Sequence, residues 1–152
     1  ADTQAAIAIR DLIFHTLEKQ QIIEKHGDDL LNILNVMLEN PSYLKIKDFQ
    51  SYAIYLQGRI LTLQNKPNIA YQYYSKSLTL SKDVEDGLNM VIILGNAGYL
   101  QHALELMNQT EVIYKHQSSN TLNKSKKYYD ETIRETKYHM NKDLQASMVK
   151  AN

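Results

Sequence analysis

Apolar residues recur every three or four positions along almost the whole chain, the spacing that gathers them on one face of a helix. No stretch alternates in the manner of a half-buried strand. The pattern predicts seven helices. The first runs from about Thr3 to His26, with Ala5, Ile9, Leu12, Ile13, Leu17 and Ile23 inward. Asp2 or Thr3 caps it, and Gly27 ends it in the left-handed conformation. Asp28 then caps a second helix, Asp29 to Glu39, with Leu30, Ile33, Leu34 and Met37 on one face and Pro41 closing it. A third covers about Ile46 to Gln64 and carries Ala53, Leu56, Ile60 and Leu63. Asn65-Lys66-Pro67 stops that helix and starts the fourth, Pro67 to Leu80, because proline is favoured at the first helical position.

The fifth helix, about Val84 to Ala97, is apolar nearly all round from Leu88 to Leu94, which predicts a place at the middle of the protein. Gly98 ends it. The sixth, Tyr99 to about Lys115, shows Leu100, Ala103, Leu104, Met107 and Val112. After a polar stretch, the last helix runs from about Thr121 to Lys150 with a narrow seam of Leu122, Tyr129, Ile133, Met140 and Leu144, so it packs by one side. Loops this short join antiparallel neighbours. The fold class expected is all-α: one domain over residues 1–152, made of a helical pair (1–45), two hairpins (46–82 and 83–117) and a capping helix (118–152).

The two hairpins repeat. Placing Ala70 on Ala103 gives a period of 33, with Asn65-Lys66-Pro67-Asn68 before one alanine and Gly98-Tyr99-Leu100-Gln101 before the other. In the first copy Gly58 precedes Ala70 by twelve residues, and Tyr74 follows. Small residues let two helices approach closely, and a bulky one fills the hole beside them. On these residues the segment 51–117 resembles the tetratricopeptide repeat, a helical hairpin of about 34 residues. The second copy departs from the family pattern: Val91 stands at the glycine position and Met107 at the aromatic one. Lys82 and Lys115 occupy the places of the closing proline, and tryptophan is absent. The resemblance implies hairpins stacked as a short right-handed superhelix whose concave groove takes a protein or peptide.

Composition agrees with helices. Gly 5 and Pro 2 are low for 152 residues, against about eleven and eight at average usage, and a many-stranded fold needs more turn residues. The absence of cysteine excludes disulfides, thiolate metal sites and a cysteine nucleophile, and suits periplasm and cytosol alike. Seventeen basic residues balance seventeen acidic ones, which argues against a nucleic-acid partner. No apolar run reaches the length of a membrane span, which leaves room for a membrane-bound parent. The opening Ala1-Asp2-Thr3 is what a processed chain or an excised fragment would carry.

Candidate chemistry is sparse. The histidines (His15, His26, His102, His116 and His139) show no helical ligand spacing, though His102 and Glu105 could share a face. Asp83, Glu85 and Asp86 crowd a helix start, where negative charge complements the dipole. No glycine-rich phosphate loop or nucleophile motif is present, so neither a catalytic residue, a metal site nor a cofactor is expected. The last helix groups Lys124, Lys126 and Lys127, yet Asp130 with Arg134 and Lys127 with Glu131 have the spacing of solvated ion pairs.

Tyrosine is the unusual count, at eleven. Tyr52, Tyr55 and Arg59 are three and four residues apart on one helix face, which the tetratricopeptide resemblance assigns to the concave groove. Leu88, Ile92 and Asn96 are the corresponding positions of the second copy. Aromatic and arginine side chains are the usual hot spots of interfaces. The function expected is therefore a non-catalytic protein- or peptide-binding scaffold, a module of a larger bacterial-type protein. Two alternatives stand beside it. One is the peptide-sensing half of a regulator. The other is the soluble tail of a membrane-embedded polysaccharide polymerase or glycan ligase, which the order of degenerate repeats, polar gap and long Tyr/Lys/Glu-rich helix weakly resembles.

Overall fold

The computed structural model describes residues 3–151, and every regular element among them is helical. Eight α-helices follow in order: α1 (Thr3–Thr16), α2 (Gln20–Leu38), α3 (Pro41–Leu44), α4 (Phe49–Leu63), α5 (Pro67–Ser81), α6 (Val84–Asn96), α7 (Leu100–His116) and α8 (Lys126–Ala151), with a 3-10 turn at Ser119–Thr121. They stack pairwise as helical hairpins, α4 on α5 and α6 on α7. The chain forms two compact units, one up to Ser81 and one from Lys82 onward. Among the described residues no helix is long and apolar enough to cross a membrane.

In the first unit α4 is enclosed. Phe49, Ala53, Leu56 and Ile60 are fully buried, and so is nearly every residue around its circumference. Its polar side chains allow this because each finds a partner. Gln57 donates to Asn35 Oδ1 on α2 at 2.6 Å. Thr62 donates to the Gly58 carbonyl at 2.8 Å, and its hydroxyl lies 3.0 Å from that of Tyr74 on α5. Ser77 of α5 donates to the Ser51 carbonyl at 2.7 Å. A buried hydroxyl or amide left unpaired costs about 1–3 kcal/mol, so these bonds also fix the register of α2 and α5 on α4. The burial nearly all round that was expected of the Val84–Ala97 helix is not seen on α6. On α6, Ile92 is half exposed.

The α4–α5 crossing is made at Gly58 and Ala70. Ala70 is fully buried, and a Cβ on Gly58 would fall 2.5 Å from Tyr74 Cε1. The period of 33 puts Val91 and Met107 at the matching places of the α6–α7 hairpin, and both are fully buried, as is Ala103. There the closest approach is made by Gly87, whose Cβ would collide with the Thr110 side chain.

The N-terminal helices differ from the sequence reading. The chain breaks at residues 17–19 rather than at Gly27, and α2 runs on through that glycine. Gly27 is buried with the Gln64 side chain against it, and Gln64 donates to Asp28 Oδ1 at 3.0 Å. The residue is small to admit a neighbour, not to turn the chain. The apolar face also differs from the expected one: Ala6, Ile13, Leu17 and Ile23 are buried, whereas Ala5, Ile9, Leu12 and Ile33 are exposed. Of the two caps proposed for α1, Asp2 lies outside the described residues. Further on, Asn40 caps α3 by accepting from the Ser42 N–H.

The second unit is α6, α7 and α8. Asp83 caps α6 by accepting from the Asp86 N–H, with Glu85 and Asp86 in the first turn. Gly98, at φ 87°, reverses the chain into α7. The last helix starts at Lys126 rather than Thr121, where Ser125 accepts from the Tyr128 N–H. Its apolar seam is narrow, as expected: Tyr129 and Ile133 are buried, Met140 and Leu144 partly so. Tyr129 packs 5.5 Å from the Tyr114 ring and donates to Glu85 Oε1 at 3.0 Å. Lys124 reaches the same carboxylate oxygen at 3.2 Å. One face of α8 is thus pinned to α6 and α7.

Candidate binding surface

The first unit carries a file of aromatic rings across three helices. Phe14 on α1 lies 6.5 Å from Tyr52 on α4, Tyr52 lies 5.7 Å from Tyr55, and Tyr55 lies 6.1 Å from Tyr74 on α5. The i, i+3 spacing of Tyr52 and Tyr55 puts both rings on one side of α4, and α1 covers part of that side. Arginine flanks the file. The Arg59 guanidinium stands 5.9 Å over the Tyr55 ring and donates to the Tyr55 hydroxyl at 2.9 Å. The Arg10 guanidinium lies 4.7 Å from the Tyr52 centroid and also pairs with Asp11.

The three expected residues of this helix come together but differ in role. Tyr52 and Arg59 are half-buried and reach the surface, while Tyr55 is only 8% exposed and serves as the ring beneath Arg59. Burial, with the neighbouring Tyr55 second, raises the Tyr52 pKa above that of a free phenol, so Tyr52 stays neutral at ordinary pH. Among the described residues no carboxylate pairs with Arg59; its hydrogen-bond partner is the Tyr55 hydroxyl. Most of that guanidinium's donors are left over.

The corresponding residues of the second unit lie along α6. Leu88 is buried in the core, Ile92 is 50% exposed, and Asn96 is exposed in the last turn. Only Ile92 and Asn96 present anything to solvent there.

Arg10 was not foreseen as part of the surface. It is forty-two residues from Tyr52, and only the packing of α1 on α4 brings the two together. Among the described residues no group of three or more His, Asp or Glu is placed to hold a metal ion. Asp130 and Arg134, which have the spacing of an ion pair, do not form one: Asp130 takes the Tyr114 hydroxyl at 2.7 Å.

Comparison with known proteins gives no match to a protein-family model, a curated protein or a solved structure.

Proposed function

We propose that this chain is a non-catalytic recognition module built of tetratricopeptide-like hairpins, and that it captures a protein or peptide segment bearing an acidic group. The module would need no cofactor and would serve as the binding part of a larger protein. The observation that carries this reading is Arg59: a half-buried guanidinium laid over a tyrosine ring, with no carboxylate paired to it among the described residues. Such a charge is partly desolvated and uncompensated, so an incoming carboxylate gains a bidentate partner already held in place. Tyr52 and Arg10 extend the same face and add flat aromatic area next to a second cation.

Peptide selection from a random display library on the immobilised protein tests this. The reading expects enrichment of Asp and Glu among the binders. Changing Arg10 and Arg59 together to Gln should weaken those binders by about 2 kcal/mol with the thermal midpoint unchanged, since both side chains are half-exposed. Tyr55 is left intact because truncating a buried ring would itself unfold α4. Binders without acidic residues, or binders indifferent to both arginines, would remove the basis of the proposal.

A further inference from the structure

Between the C-terminal half of α7 and the N-terminal half of α8 lies a cleft that the repeat resemblance does not account for. It consists of two adjoining depressions of about 250 and 360 Å³ that share Tyr114, Lys115 and Asp130. The Tyr114–Asp130 hydrogen bond forms the saddle between them. One depression is lined by Ile133 and Arg134, the other by Leu122 and Lys126. Each half therefore pairs an apolar side chain with a cation.

The two carboxylates of the cleft are already engaged. Glu111 is bridged by Lys137 at 3.2 Å and Lys115 at 3.6 Å, and Asp130 holds the Tyr114 hydroxyl. The side chains of Arg134 and Lys126 are exposed, and among the described residues neither makes a hydrogen bond or an ion pair. Two positive charges are thus left over; Leu122 beside Lys126 is partly exposed, whereas Ile133 beside Arg134 is buried and only floors its half. The 118–152 segment holds seven of the basic residues and four of the acidic ones, so the surroundings reinforce that sign.

We infer that this cleft is a second binding site, for an acidic peptide segment with carboxylates on Arg134 and Lys126 and an apolar side chain against Leu122. The inference goes beyond the face proposed for the first unit and rests on different residues. The planar fork of Arg134 matches a carboxylate in two hydrogen bonds. A nucleic acid fits poorly. Glu111 and Asp130 stand in the walls and repel closely spaced phosphates, and the chain as a whole has no excess of cations. A free inorganic anion would leave Leu122 unused.

The experiment is a titration of the isotope-labelled full chain, followed by the methyl signal of Ile133 and the side-chain NεH signal of Arg134. The probes are a synthetic peptide of glutamate, leucine and glycine, the same peptide with glutamine for glutamate, inorganic phosphate, and a single-stranded oligonucleotide. The acidic peptide should move both signals and its glutamine version should not. Arg134→Gln and Lys126→Gln should each weaken the acidic peptide about tenfold, while Lys142→Gln, elsewhere on α8, should leave it unchanged. All three side chains are exposed, so the variants keep the fold. The inference is overturned by unmoved signals at millimolar peptide, by phosphate acting as strongly as the peptide, or by tighter binding of the oligonucleotide. A peptide that perturbs only the surroundings of Arg59 would overturn the cleft while leaving the first unit's face standing.

Discussion

Gly87 on α6 faces Thr110 on α7 so closely that a Cβ on the glycine would collide with the threonine side chain. Gly58 and Tyr74 stand in the same relation in the first unit. At the period of 33, however, Gly58 corresponds to Val91 and Tyr74 to Met107. The second contact has slid by four residues toward the start of α6 and three toward the end of α7. In an antiparallel hairpin both shifts run the same way, about one turn away from the connecting loop. Valine cannot let a facing helix in as glycine does, so the crossing lies at Gly87, while Gly95, as far from Val91 on the other side, receives Met140 of α8 instead.

Gly87→Ala should therefore destabilise the second unit by about 1–3 kcal/mol, because the new methyl meets a side chain anchored on its own helix. Thr110 donates to the Leu106 carbonyl at 2.9 Å and cannot swing away without breaking that bond. Adding Thr110→Ala should recover most of the loss, and a double-mutant cycle by thermal unfolding would measure the coupling. Additive effects would show that the two residues do not meet.

Ala70 and Ala103 are both fully buried. Replacing Ala103 by Leu should overpack the α6–α7 interface at a cost of roughly 1–3 kcal/mol, with a similar cost for Ala70→Leu in α4–α5. An unchanged unfolding midpoint for either variant would contradict the alignment of the two hairpins.

Alkaline pH should unfold the second unit. Burial, aided by hydrogen bonds to Asp130 and Glu85 respectively, pushes the phenols of Tyr114 and Tyr129 up to about 12. Unfolded tyrosine titrates near 10, so between these values the folded chain binds more protons than the unfolded one. The stabilisation is complete below about pH 10 and is lost as pH rises through about 12, on the order of 2 kcal/mol for each ring. Circular dichroism against pH should show the loss, and Tyr129→Phe should shallow its slope. An equally steep slope in that variant would assign the transition to other groups.

Removing residues 122–152 should uncover Tyr114 on α7 and strip Glu85 of both its partners. Terminal elements of helical arrays keep their outer faces polar for solubility, and α8 presents a mostly exposed outer surface. The shortened chain is expected to associate in sedimentation or light scattering. A stable monomer would show that α8 is not a cover.

The hairpins were legible because their punctuation is physical: Pro67 opens α5, and Gly98 supplies the positive φ before α7. The first break was not legible. Residues 17–19 contain neither glycine nor proline, and Lys19 begins α2 without a side-chain cap, so the sequence offers no marker there. Gly27 offered a false one, since a glycine that admits Gln64 and a glycine that ends a helix look alike. On the candidate surface, the shared helix face of Tyr52 and Arg59 was readable from their spacing. Arg10 and the pairing of Glu111 with Lys137 depend on how separate helices meet, and periodicity within one helix carries no information about that.

The order of helix pairing bears on the speed of folding. α4 closes on α5 and α6 on α7 across three residues each, and α7 on α8 across nine, so these contacts demand little loop-closure entropy. A chain dominated by such local encounters belongs with the fast helical folders, in the microsecond to millisecond range. The first unit holds the exceptions, since α1 and α2 must both reach past α3 to dock on α4. The Gln57–Asn35 hydrogen bond forms only when the α2–α4 circuit closes, which makes Gln57→Leu a probe of that step. During synthesis, every residue of that unit precedes the first residue of α6, so its closure can run to completion while α7 and α8 are still being made.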